Sequence, residues 1–139
     1  MTKENEIATN LSMIEYYKEQ LASIDMQIQY LQAAVADYHK AKITVEQLDK
    51  TKGVEDILVP VGLGVFINAS TKDTSKVLVD IGAGIVAEKT VDDAIKKIDG
   101  RIEALQENQK KLLSMAQQLQ TEAVELSNKT QKLVDETRE

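Results

Sequence analysis

The chain has 139 residues, a net charge of −6, 29% charged residues, no cysteine, no tryptophan and a single phenylalanine. So much charge with so few aromatics argues for long helix or coiled coil over a compact globule. The acidic balance disfavours a phosphate backbone as partner, and the lack of thiols removes disulfide and thiolate chemistry.

The N-terminal segment MTKENEIATN is polar, and no apolar run is long enough to cross a bilayer. The expectation is a cytoplasmic protein that binds neither nucleic acid nor membrane. The next stretch, 5–52, reads in sevens. Ile7, Ile14, Leu21, Ile28 and Val35 occupy one heptad position, with Lys42 as its polar successor. Asn10, Tyr17, Ile24, Leu31, Tyr38 and Val45 occupy the other, and together they form an a/d seam with Asn10 as its polar interruption. Gly53, after Lys50 and Lys52, reads as a C-cap behind a cationic last turn.

The middle, 56–89, changes character. Ile57, Val59 and Val61 alternate along a first strand, Gly62-Leu63-Gly64 turns it, and Val65, Ile67 and Ala69 alternate back. Val77, Val79 and Ile81 form a third strand, Gly82-Ala83-Gly84 a second turn, and Ile85–Lys89 a fourth strand. The pattern predicts two β-hairpins, with Pro60 marking an edge or a bulge.

The last segment, 90–137, returns to heptads. Val91, Ile98, Leu105, Leu112, Leu119, Leu126 and Leu133 share one position. The other runs Ile95, Ile102, Gln109, Ala116, Ala123, Thr130 and Thr137, so this seam weakens towards the C-terminus. Thr90 reads as the N-cap, with Asp92 and Asp93 in the first turn, where the helix dipole favours carboxylates.

Two helices of similar length around a β segment predict an α+β, mainly α, fold. It is a long antiparallel two-helix coiled coil with two central hairpins, one unit over 1–139. At ~1.5 Å per residue each helix is roughly 65–70 Å long. A register in which facing residue numbers add to about 140 places Tyr17 against Ala123, Ile24 against Ala116, Asn10 against Thr130 and Val45 against Ile95, large against small or like against like. The helices are then committed to their own seam, and the hairpins keep apolar faces and open edges. Lone hairpins are marginal and exposed edges seek strands. The expectation is a sheet or barrel shared between subunits, built from Ile57, Val59, Val61, Val65, Phe66, Ile67, Val77, Val79, Ile81 and Ile85.

Gly82-Ala83-Gly84-Ile85-Val86-Ala87 matches GxGxxA, with Glu103 at the spacing of an acidic ribose ligand. That motif needs a helix directly after the glycines to hold a pyrophosphate. Here IVAEK comes next and reads as strand, so no cofactor is expected. His39, the single histidine, has Lys42 and Ile43 as its helical neighbours and forms no ligand pair. No nucleophile–base pair suggests itself, and Lys96-Lys97 and Lys110-Lys111 lie amid acids as a solvated face. Five off-seam apolar residues, Leu11, Met13, Tyr16, Val124 and Val134, gather at the terminal end of the helical pair. They read either as ordinary scatter or as an adaptable sticky tip, where a splaying seam also offers Ile7, Ile14, Leu126 and Leu133.

The hairpin region carries a resemblance. ILVPVGLGVFINA (Ile57–Ala69) followed by VLVDIGAGIVAEKTVDDAI (Val77–Ile95) resembles the alpha subunit of prefoldin, most closely its archaeal form. LVPVG, Phe66 and VDIGAG with its adjoining AEK are the distinctive parts, and Leu63 departs from the smaller residue expected in that turn. The resemblance implies a hexamer of two alpha and four beta subunits on a double β-barrel platform, including a second alpha subunit. It implies capture of unfolded client proteins at the helical tips without ATP, and delivery to a group II chaperonin. In an alternative within the same family type, the hairpins polymerise into a structural or filament-forming coiled-coil protein.

Overall fold

In the computed structural model, residues 2–51 and 55–138 are described. The elements are α1 (Lys3–Thr51), β1 (Asp56–Gly62), β2 (Val65–Ser70), β3 (Lys76–Gly82), β4 (Ile85–Thr90) and α2 (Val91–Thr137). They form two compact units, Met1–Ala34 with Leu105–Glu139, and Val35–Ala104.

In the first unit α1 and α2 pair antiparallel. Thr2 caps α1, its Oγ1 accepting the Asn5 N–H at 3.2 Å. Lys3 Nζ meets Glu136 Oε2 at 3.1 Å, and the Tyr17 hydroxyl donates to Glu122. Both pairs have residue numbers that add to 139, one from the register expected from the heptads. The seam runs through the expected positions: Ile24 and Leu31 are buried, while Ile7, Ile14, Leu21, Ile28, Leu112, Leu119, Leu126 and Leu133 are half-buried. Half-burial is the natural state of a two-stranded seam, where each knob is covered from one side only. Near the termini the seam turns polar. Thr130 is buried and its Oγ1 donates to the Leu126 carbonyl at 2.7 Å. The Asn10 Nδ2 is also shielded from solvent but has no hydrogen-bond partner.

In the second unit the seam has Val91 and Ile102 buried and Val35, Tyr38, Val45, Ile95 and Ile98 half-buried, with Ala94 buried beside it. Lys42, the polar residue in the first heptad position, reaches Asp99 Oδ1 at 2.9 Å. That hydrogen bond raises the lysine's pKa, against the smaller opposing effect of desolvation. Arg101 joins three elements. Its Nη2 donates to the Asp80 carbonyl at 2.9 Å, and its guanidinium lies 5.9 Å from the Tyr38 ring centroid. This cation–π contact ties α1 and α2, and the carbonyl contact ties α2 to β3.

The hairpins are two separate two-stranded antiparallel sheets with matching registers. Asp56 opposes Ser70 through to Pro60 opposite Phe66, and Lys76 opposes Thr90 through to Asp80 opposite Val86. Their bases close alike, with the Thr71 N–H on the Glu55 carbonyl at 2.9 Å and the Val91 N–H on the Ser75 carbonyl at 3.1 Å. Each register shifts just before its turn, which leaves Val61 and Ile81 as extra, bulged residues. The simple alternation that placed Val61 with Ile57 and Val59, and Ile81 with Val77 and Val79, therefore breaks at these two positions. The turns are two-residue loops in which Leu63 (φ 50°) with Gly64 (φ 74°) and Ala83 (φ 51°) with Gly84 (φ 74°) take the left-handed values of a type I′ turn. Glycine meets that demand freely, whereas a β-carbon in the left-handed region costs roughly 1–2 kcal/mol, so Leu63 and Ala83 hold mildly strained positions.

Thr90 ends β4 and caps α2, its Oγ1 accepting the Asp93 N–H at 3.2 Å. The expected C-cap of α1 at Gly53, with Lys52, lies outside the described residues, and α1 begins at Lys3, two residues before the expected start.

Removing the cap by Thr90→Ala should destabilise the chain by about 1 kcal/mol in thermal unfolding, with Thr90→Ser close to the parent. Asn10→Leu should raise stability by about 1–2 kcal/mol, because a shielded amide without a partner is replaced by a seam residue. A fall in unfolding midpoint for Asn10→Leu would show that the amide is satisfied in solution.

Candidate functional site

Two sets of exposed apolar side chains stand out, one on the hairpins and one on the helices of the first unit. On the first hairpin Ile57, Leu58, Val59, Val61, Val65, Phe66 and Ile67 are all exposed, and Leu63 at the turn is 105% exposed. Neighbouring positions along a strand point to opposite faces, so both faces of this hairpin are apolar and uncovered. No charged residue occurs between Ile57 and Ile67.

The second hairpin differs. Val77, Val79, Ala87 and Lys89 are half-buried, while Leu78, Ile81, Ile85 and Val86 are exposed. One of its faces is thus partly covered and the other open. Asp80 and Glu88 stand at the registers where the first hairpin has Pro60 and Asn68. The sequence pattern identified most of this apolar set and expected apolar residues on both faces; Leu58, Leu63, Leu78 and Val86 are the additions to it.

At the terminal end of the helical pair, Leu11, Met13, Tyr16 and Val124 are exposed as the off-seam pattern expects. Val134 is partly covered, and Ile7, Ile14, Leu126 and Leu133 lie half-buried in a closed seam. The Tyr16 and Tyr17 rings lie 6.3 Å apart, inclined at 55°. Tyr17 faces the partner helix, where desolvation and then the nearby Glu122 carboxylate raise its pKa. The exposed set extends further along the helices than the terminal end. Met26, Tyr30, Leu113 and Met115 are exposed in the same unit, as is Ile43 in the other. Their signal was present in the sequence: each is a large apolar residue outside both heptad positions, although none belongs to the terminal cluster.

Gly82 and Gly84 bracket a hairpin turn, and β4 stands in place of the helix that a pyrophosphate site requires. His39 is exposed on α1. Among the described residues no cluster of three His, Cys, Asp or Glu side chains is placed to hold a metal ion, and no helix is long and apolar enough to cross a membrane.

The family model described as "Prefoldin subunit" matches residues 17–136. Prefoldin subunit alpha of Archaeoglobus fulgidus is 31% identical over 123 residues, covering 88% of this chain and 90% of that protein. Prefoldin subunit alpha of Methanobrevibacter smithii is 36% identical over 109 residues, covering 78% of this chain and 74% of its own length. Among solved structures, a chain from the cryo-EM structure of filamentous PFD from Methanocaldococcus jannaschii superposes with a TM-score of 0.59 at 29% identity, covering 90% of this chain and 98% of that one. A paired-helix fold with twin hairpins, a family match over most of the chain and likeness to archaeal alpha subunits over most of their length agree, and the chain belongs to the prefoldin family of chaperones.

Proposed function

We propose that this chain is an alpha-type subunit of an ATP-independent holdase. It captures non-native proteins at the ends of its helices and passes them to a group II chaperonin in the cytoplasm. The observation that carries the assembly half of this reading is the first hairpin, apolar on both faces and open at both edges. Such a surface is stable in water only when other strands and side chains cover it. The partners proposed are four beta subunits and a second alpha subunit around a shared β-barrel platform. The function is binding rather than chemistry.

Client capture rests on Leu11, Met13, Tyr16 and Val124, exposed where the seam is at its most polar. Opening of that seam would add Ile7, Ile14, Leu126 and Leu133 to the contact surface. A single such patch binds weakly, but several held on one platform gain avidity for a chain that exposes many apolar groups. Flexible, shallow contacts suit many sequences better than a shaped pocket. A net charge of −6 per chain helps keep a loaded complex dispersed.

A second reading, growth into filaments through the hairpins, is favoured by the likeness to the filamentous PFD structure. Mixing the chain with a beta-type subunit and measuring mass by light scattering separates the two: a closed hexamer supports the holdase and open-ended growth supports the filament. Phe66→Asp, which places a charge on the apolar hairpin, should weaken assembly at least about tenfold while helical circular dichroism stays unchanged. In the assembled complex, Leu11→Ser with Val124→Ser should lower suppression of client aggregation several-fold without altering the complex mass. Undiminished suppression would remove these residues from the capture site.

A further inference from the structure

Three hollows lie along the helical pair of the first unit. One, of about 580 Å³, is bordered by Met13 and Tyr16. A second, of about 360 Å³, runs from Tyr16 past Ile24 to Gln27 on α1 and faces Leu112 and Met115 on α2. The third, of about 300 Å³, lies between Met26, Tyr30 and Leu31 on one side and Asn108 and Leu112 on the other. Tyr16 borders the first two, and Gln27 and Leu112 border the last two. The hollows therefore follow one another along the helices: α1 alone lines the first, at the proposed capture site, and the last two, between α1 and α2, carry the groove beyond it.

The lining has a distinct chemistry. Each hollow has one methionine, so three of the chain's four methionines stand along this groove. In a chain with 29% charged residues, the sole charged lining residue is Glu122, which the Tyr17 hydroxyl and the Gln118 amide (3.4 Å) already engage. Met26 and Tyr30 are 72% and 76% exposed, one helical turn apart, and belong to neither heptad position. Methionine adapts to irregular shapes, and tyrosine gives a large contact area at low entropic cost. The amides of Gln27 and Asn108 can both donate to and accept from the unpaired backbone of an unfolded chain. A charged segment would leave its charges unpaired here, so the groove fits an uncharged, apolar-rich stretch of polypeptide.

We propose that a non-native chain is gripped along this whole groove and not at the helix ends alone, with the Met26–Tyr30–Leu112 hollow taking one large apolar side chain. This rests on the client-capture reading above. From Ala8, which also borders the first hollow, to Tyr30 the helix rise spans about 33 Å, the length of about ten extended residues. The occupant is therefore a segment of client and not a single side chain.

The test uses the full chain in its assembled complex, with a reduced and carboxymethylated, permanently unfolded protein as probe. Met26→Ser with Tyr30→Ser should weaken probe binding about tenfold, the loss expected for about 1.4 kcal/mol of apolar contact. Leu113→Ser, an exposed apolar site in the same unit that borders none of the hollows, should change binding less than about twofold. A photo-crosslinking residue at position 30 should capture the probe. A Met26→Ser, Tyr30→Ser complex that binds as tightly as a parent that does bind would overturn the groove and leave capture at the helix ends standing. A shift in complex mass on the same substitutions would overturn it too, by making the groove a subunit contact. A parent complex that binds no probe would overturn the holdase reading itself, and the groove with it.

Discussion

A pair of helices has only one line of interior. Large apolar residues that α1 and α2 can hide must fall on that seam, and even there each is covered from one side. Ile24, Leu31, Val91, Ala94 and Ile102 are the buried apolar residues among those described, and no large described side chain is completely enclosed. The hairpins bring far more β-branched and aromatic surface than such an interior can absorb. Their exposure is thus a consequence of architecture, and cover has to come from other subunits of the family.

Polar residues in and beside the seam are treated differently in the two units. In Val35–Ala104, Lys42 is answered by Asp99, and Arg101 finds both the Tyr38 ring and the Asp80 carbonyl. In the other unit, Thr130 turns back on its own helix and the Asn10 amide nitrogen has no partner. Ion pairs on an exposed surface contribute little to stability, commonly less than about 1 kcal/mol. Their value here is positional, since a charged group at a seam position finds a satisfied state only in one register. Near the termini that specification lapses, where the proposed work calls for surfaces that adapt.

Much of this was legible in the sequence, for identifiable reasons. A strict seven-residue repeat fixes which side of each helix turns inward, so the burial of Ile24, Leu31 and Ile102 and the antiparallel register came from spacing alone. Glycine pairs flanked by alternating β-branched residues fixed the hairpins. The strand-like IVAEK directly after Gly84 distinguished a hairpin turn from a phosphate loop. Pro60 marked an edge or a bulge, and the first register shift follows it directly; the matching bulge at Ile81, where Asp80 replaces the proline, was not legible, because it depends on how the turn twists the strands and not on residue type. The partial cover of Val77 and Val79 escaped for a similar reason, since it depends on neighbours outside the strand. Met26 and Tyr30 were visible as letters, but the hollow between them exists only when α2 supplies Asn108 and Leu112.

The uncharged run of the first hairpin also bears on how the chain is made. Before partners arrive, Ile57 to Ile67 is an uncharged, β-prone hairpin in which Pro60 is the one residue that cannot donate to a ladder. The matching position on the second hairpin is Asp80, a charge that guards its edge. A cell that synthesises this chain faster than its partners therefore accumulates a chaperone subunit that is itself prone to aggregate. Balanced expression of the subunits becomes a physical requirement, set by a few residues of one hairpin.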